Sequence, residues 1–257
     1  MELVIISVAA FLVAILTFFS GFGLGTILTP VFMLFFPVEI AIALTGVVHF
    51  FNNIFKLLLV GRKANKAVLL RFGIPAVIAA VLGSWLLINS SDWHPLFSYT
   101  AFGKDFEVYP LKFIVAILIL IFASMELIPY FSKLQFNKNK LPLGGALSGF
   151  FGGLTGNQGA LRSAFLIKAG LSKEAFVGTA VVVSTFVDFT RLSLYATKFA
   201  TSGLTDNLTL VIAATVSGIA GSYLGNKLLK KVTLRFIQVT VALLLMTISL
   251  ALAAGLL

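Results

Sequence analysis

Residues 142–169 read PLGGALSGFFGGLTGNQGALRSAFLIKA. Two apolar arms, 142–154 and 159–169, flank a polar and glycine-rich break at Thr155, Gly156, Asn157, Gln158 and Gly159. Neither arm is long enough to cross a bilayer, since twelve helical residues reach about 18 Å against roughly 30 Å of hydrocarbon. The arms therefore read as half-helices that meet at membrane depth, where non-helical backbone survives only if buried in protein or facing a watery cavity. A second break of the same kind, GFGLG at 21–25, joins stretch 3–20 to the short stretch 26–36. There the longer arm, 3–20, could instead span alone, and both readings stay open.

The rest of the chain agrees with a membrane setting. Further apolar stretches run at 40–60, 67–88, 111–130, 175–197, 207–229 and 232–256. Hydrophobic residues make up 59% of the 257, and charged residues only 11%. A soluble domain must wet its exterior and cannot use that composition, whereas lipid accepts it. The absence of cysteine excludes disulfides, thiolate metal sites and thiol catalysis. Two histidines, His49 and His94, make a histidine-built metal site improbable. The start, Met1-Glu2-Leu3, lacks the basic region of a secretory signal, so the first helix reads as retained. The net charge of +10 sits mostly in short loops, which argues for cytoplasmic loop charge rather than nucleic-acid binding.

Those loops set the expected topology. Segments 61–71, 131–140 and 227–235 carry lysine and arginine with no acid. Loop 89–110 holds Asp92, Asp105 and Glu107 against Lys104, and loop 198–206 holds only Lys198 and Asp206. The first three are expected inside and the other two outside. The hairpin 142–169 then opens to the cytoplasm and the hairpin 3–36 to the opposite face.

The chain also repeats. The stretch Thr26 to Phe36 after Gly25 resembles the stretch after Gly159; Asn53 and Lys56 match Asp188 and Arg191; Gly83-Ser84-Trp85-Leu86 matches Gly221-Ser222-Tyr223-Leu224. Residues 1–130 and 141–257 read as two repeats joined by a basic linker, 131–140. Each repeat is one hairpin plus three spans, and an odd number of crossings inverts the second copy. The expected fold is an all-α polytopic bundle of two inverted repeats.

Charges inside spans cost roughly 2.5–3.5 kcal/mol each on insertion scales, so each needs a reason. Asp188 and Arg191, three residues apart, share a helix face within ion-pair reach, with Tyr195 one turn along. Asp188 is the better candidate for carrying a coupling proton. In the other half, Asn52 and Asn53 are amides that need partners, and Lys56 could either snorkel or face cargo. His49 could relay protons, but it reads more readily as an interhelical hydrogen-bonding residue. The second hairpin offers Asn157, Gln158, Gly159 and, one turn in, Arg162, whose planar fork suits oxyanions. The first offers Gly23, Gly25 and Thr26, with Thr29 and Pro30 one turn on. Glycines spaced by four, Gly145/Gly149/Gly153 and Gly221/Gly225, read as packing faces. Glu126 lies toward the cytoplasmic end of its span. No phosphate loop, nucleophile elbow or catalytic carboxylate pair is present, so no enzyme is expected.

At residues 21–30, GFGLGTILTP, and again at 149–159, the chain resembles the TauE/SafE family of sulfite exporters. The likeness continues through Asn53 and Lys56, the basic loop, Asp188 and Arg191, and the terminal Gly-Ser-Tyr-Leu segment. It implies a multi-pass plasma-membrane (inner-membrane) exporter of sulfite, sulfoacetate or a related anion, working without a cofactor, amid lipid and without nucleic acid. A homo-oligomer stays open, as does proton coupling. A passive channel, or a transporter for another small anion, is the alternative. Two departures bear on cargo: the second hairpin is poorer in glycine and lacks a following proline, and loop 89–110 is longer than the family pattern.

Overall fold

The computed structural model describes residues 1–17, 24–90, 93–101, 103–128, 136–199, 206–228 and 234–256. The first half runs through α1 (Glu2–Thr17), α2 (Leu24–Met33), α3 (Val38–Val60), α4 (Lys66–Ser90) and α5 (Pro110–Leu127). The second runs through α6 (Leu141–Thr155), α7 (Gly159–Leu166), α8 (Lys173–Phe199), α9 (Leu208–Leu228) and α10 (Leu234–Ala253). Among them, α3, α4, α8 and α9 are long and apolar enough to cross a membrane. The arms α2, α6 and α7, at 10, 15 and 8 residues, are the short ones expected. The link between α1 and α2, including Gly23, lies outside the described residues.

Local chemistry explains the boundaries. The side chain of Asn65 accepts from the Val68 amide and opens α4. Pro110 and Pro142 sit in the first turns of α5 and α6, where a missing N–H costs nothing. Pro30 stands inside α2 and withholds one amide from the helix, which frees the Thr26 carbonyl near the tip. Gly156 closes α6 at φ 78°, a left-handed conformation that a side chain would strain.

The helices pair in a pattern that stays the same when the halves are exchanged. α4 lies along α6 as α9 lies along α1; α3 packs on α8, and α5 on α10; α4 meets α8 as α9 meets α3. Of the glycines expected to pack, Gly145, Gly149, Gly153 and Gly221 do so. A Cβ on Gly149 would stand 1.9 Å from the Ala76 carbonyl oxygen, and one on Gly145 would stand 2.1 Å from that of Phe72. Gly83 and Gly221 likewise abut backbone, the carbonyl oxygens of Phe150 and Phe11, at 2.0 and 2.2 Å from a would-be Cβ. Close backbone approach of this kind replaces the hydrophobic drive that lipid does not supply. The outward faces are apolar: Leu58, Ile78, Phe186, Phe189, Val216 and Leu250 are exposed.

One expectation is corrected. Loop 89–110 holds a β-hairpin, β1 (Phe97–Ala101) and β2 (Lys104–Val108), antiparallel with Phe97 opposite Val108. Its alternation of aromatic or aliphatic with polar residues is too short to stand out beside the long apolar spans. Tyr99 donates to the Ala254 carbonyl at 2.6 Å and ties the hairpin to the end of α10.

Candidate functional site

The seam between α3 and α8 is where the buried charge collects. Asp188, Arg191 and Tyr195 follow one face of α8, and His49 and Asn53 follow the facing side of α3; all five are buried. One carboxylate oxygen of Asp188, Oδ1, accepts from Arg191 Nε at 2.9 Å and lies 2.8 Å from its NH2. The other, Oδ2, lies 2.7 Å from His49 Nδ1 and accepts from Asn53 Nδ2 at 2.9 Å. An ionised carboxylate only accepts, so the proton of the His49 contact sits on Nδ1. The 3.2 Å approach of Asn53 Nδ2 to His49 Nδ1 is then donor beside donor, a contact and not a bond. A buried ion pair offsets its desolvation only when further hydrogen bonds satisfy the remaining valences. Histidine and asparagine supply those here, from another helix.

Arg191 reaches past the pair toward the second hairpin tip. A Cβ on Gly156 would stand 2.9 Å from Arg191 NH1 and 3.7 Å from Thr29 Oγ1. A Cβ on Gly46 would stand 3.3 Å from the Arg191 guanidinium carbon. The two tips touch: a Cβ on Gly25 would lie 3.3 Å from the Gly156 carbonyl oxygen, 3.8 Å from Thr45 Cγ2 and 4.0 Å from His49 Cδ2. Tyr195 donates to the Gly153 carbonyl and so holds α8 against the last turn of α6.

Around this junction, buried polar atoms lack hydrogen-bond partners. They are Thr29 Oγ1, Thr45 Oγ1, both polar atoms of the Asn157 amide, both of the Gln158 amide, and Arg191 NH1. Arg191 NH2 also makes no directed hydrogen bond: it lies close enough to Asp188 for charge attraction but off the bonding axis. Asn157 and Gln158 precede α7, and the Gln158 side chain does not cap it, so no cap bond from that side chain covers the first amides of the helix. Buried polar groups left open in this way are rare, and each costs about 1–3 kcal/mol.

The arrangement is a buried polar junction where the start of α2 meets the link between α6 and α7, holding an arginine and several amide and hydroxyl groups whose polar atoms have no hydrogen-bond partner. The family comparison decides what kind of protein carries it: the model of the sulfite exporter TauE/SafE family matches residues 6–252. The chain belongs to that family. TauE/SafE proteins are membrane transporters and not enzymes, so the chamber belongs to a multi-pass transporter for a small anion. Curated proteins and solved structures give no match.

Within this TauE/SafE chain the residues singled out by sequence fall in two neighbouring groups. His49, Asn53, Asp188 and Arg191 form one cluster, with Gly25 and Gly156 against it. Arg162 stands apart: its NH1 donates to Ser184, one turn before Asp188 on α8. Lys56 is buried on α3, close enough to Arg162 for the two cations to repel. Thr26, Asn157, Gln158 and Gly159 are buried at the tips. Asn52 finds its partner across the repeat, accepting from Ser222 at 2.6 Å. Sequence reasoning missed Thr45, Gly46 and Ser184. The signal for the first two was present, since both lie one turn before His49 on the face that carries Asn53.

Proposed function

We propose that this chain exports a small sulfur oxyanion, such as sulfite, sulfoacetate or a related organosulfonate, across the inner membrane by secondary transport. One observation carries the reading. Arg191 NH1, the Asn157 and Gln158 amides and the Thr29 and Thr45 hydroxyls are buried and open at the meeting of the two tips. An oxyanion with several accepting oxygens satisfies donors spread over such a chamber, as charge-assisted bonds from guanidinium and helix amides. Arg162 and Lys56 flank the route toward the basic loops, where a second positive field draws the anion from the cytoplasm. Asp188 orients Arg191 and keeps its charge in place between cargoes.

The exchange-symmetric helix pairing supports reading 1–130 and 141–257 as inverted repeats, with the two tips meeting near the midplane. Alternating access then rocks one set of helices against the other around a fixed site.

The test is flux. The purified protein in liposomes is given labelled sulfite, with sulfoacetate, thiosulfate and sulfate as competitors, and Arg191→Ala run beside it. Saturable uptake that the substitution abolishes is expected. Uptake that rises without saturation replaces the transporter with a channel, and folded protein that moves no sulfur anion overturns the cargo.

A further inference from the structure

We propose that His49 takes up a proton when the anion binds and crosses with it, so that one proton accompanies each anion. This rests on the reading of the Arg191 chamber as the anion site. The groups that face His49 are few. On its own helix they are Asn53 and, beyond it, Lys56; from α8 come Asp188 and Arg191, with Tyr195 beside Arg191 and Arg162 of α7 within charge reach of Asp188. The segment Leu24–Met33 of α2 contains no ionisable side chain, and α9 meets this part of α3 through Ser222, with Tyr223 exposed.

The guanidinium groups of Arg191 and Arg162 keep their charge, and Asp188 is the wrong group to carry a proton. Its two oxygens face three hydrogen-bonding nitrogens, Arg191 Nε on one and His49 Nδ1 and Asn53 Nδ2 on the other, with Arg191 NH2 adding charge attraction at 2.8 Å. Donors aimed at a carboxylate favour its ionised form. A proton on Oδ1 would face arginine N–H groups with no lone pair to offer, and one on Oδ2 would pass to the more basic imidazole beside it, so the shared proton rests on His49. This reverses the expectation drawn from sequence, which gave the coupling proton to Asp188 and left His49 a structural bond.

His49 has the complementary design. Its Nδ1–H is committed to Asp188, so the lone pair of Nε2 is the place where a proton binds, forming an imidazolium without breaking the Asp188 contact. The ring edge lies beside the tip contact, with Cδ2 at 4.0 Å from a Cβ on Gly25, whose backbone meets Gly156. An anion seated on Arg191 NH1 puts a new negative charge a few ångströms away, in a medium where Coulomb attraction at about 7 Å changes an equilibrium by tenfold or more. The coupling is reciprocal: the anion tightens the proton by the factor that the proton tightens the anion. The balance is simple. One proton leaves the cytoplasmic solution for Nε2, one anion leaves for Arg191, and both are released on the far side. A monoanion then moves without net charge, so efflux follows the gradient of the accumulating acid and not the membrane potential.

Sulfoacetate is the probe, because both of its acid groups are ionised near pH 7 and any proton taken up on binding belongs to the protein. Calorimetric titration of the purified protein at pH 7.5, in two buffers of different ionisation heat, reads the protons bound per anion. Close to one is expected in the parent and none in His49→Gln, which keeps an amide donor for Asp188. As a second reading that needs no variant, the parent Kd should weaken by up to tenfold per pH unit above the histidine titration. Binding by the parent without proton uptake, or equal uptake in His49→Gln, overturns the inference and leaves the anion site standing. If neither sulfoacetate nor sulfite binds, the anion site itself falls, and the inference with it.

Discussion

Gly46→Ala separates the anion site from the stability of the fold. Gly46 lies within α3, where alanine is favoured over glycine by about 1 kcal/mol. The added methyl would stand 3.1 Å from Leu192 Cδ2, 3.3 Å from Arg191 Cζ and 3.5 Å from NH1, so its neighbours must yield by a few tenths of an ångström. The Leu192 methyl ends a flexible side chain and can move. The guanidinium cannot move freely, because Nε and NH2 are held against Asp188 Oδ1 at 2.9 and 2.8 Å. Strain and helix propensity therefore nearly cancel, and stability should change by less than about 1 kcal/mol, the size of the propensity gain itself. Anion binding should not escape, because the methyl covers one side of NH1 and tilts its N–H groups away from the chamber. Loss of one charge-assisted hydrogen bond is worth about 1.5–3 kcal/mol, or roughly tenfold to a hundredfold in affinity. Gly218→Ala is the control, since its Cβ would make only ordinary contacts at 3.6 and 3.7 Å with Leu24 and Val48. The assay pairs thermal unfolding in detergent with equilibrium binding of sulfite and sulfoacetate. Folded Gly46→Ala protein that binds within twofold of the parent would refute the placing of NH1 in the anion site.

Other substitutions test the remaining contacts. Gly149→Ala puts a methyl 1.9 Å from a backbone oxygen, so α4 and α6 must separate; a loss of about 3 kcal/mol or more is expected, measured as a fall in Tm beside Gly73→Ala, whose Cβ meets only Val183 at 3.6 Å. Arg191→Ala leaves a buried carboxylate with half its donors and should cost about 3–5 kcal/mol, whereas Asp188→Asn with Arg191→Gln should recover much of that stability and still carry no anion, read by unfolding and flux together. Tyr99→Phe removes the 2.6 Å bond to Ala254 and should lower stability by about 1 kcal/mol while leaving flux unchanged, since that bond ties the β-hairpin to the end of α10 and not to the chamber.

What the sequence revealed and what it hid divide along a physical line. Short apolar arms around Gly156, unopposed loop cations and spaced glycines are one-dimensional signals, because bilayer thickness and backbone approach act on local composition. The Asp188/Arg191 pair was visible for the same reason, being one helical turn apart. The histidine–aspartate bond was not: it spans 139 positions and depends on how α3 lies on α8. Thr45 and Gly46 stood on a legible face, one turn before His49, but a threonine or glycine in a span has many uses until an arginine is found beside it. The β-hairpin escaped because five-residue strands leave a weaker pattern than any span.

The two halves differ in chemistry where α3 meets α8. Asn53 and Asp188 occupy matching places, as do Lys56 and Arg191, and α3 and α8 pack on each other across the seam. An aspartate at 53 would place two carboxylates opposite one another in a dry interior, where like charges a few ångströms apart cannot both stay ionised. With asparagine at 53, one copy supplies the carboxylate and the other an amide that donates to it at 2.9 Å. The matching cation has likewise parted company with the pair: Arg191 stays on Asp188, while Lys56 faces the Arg162 side. The packing of α3 on α8 thus sets Asn53 against Asp188, the one buried carboxylate among the described residues. With Arg191, Lys56 and Arg162, the buried charged side chains of the described residues are three basic ones against Asp188, the condition under which a buried site attracts an anion and not a cation.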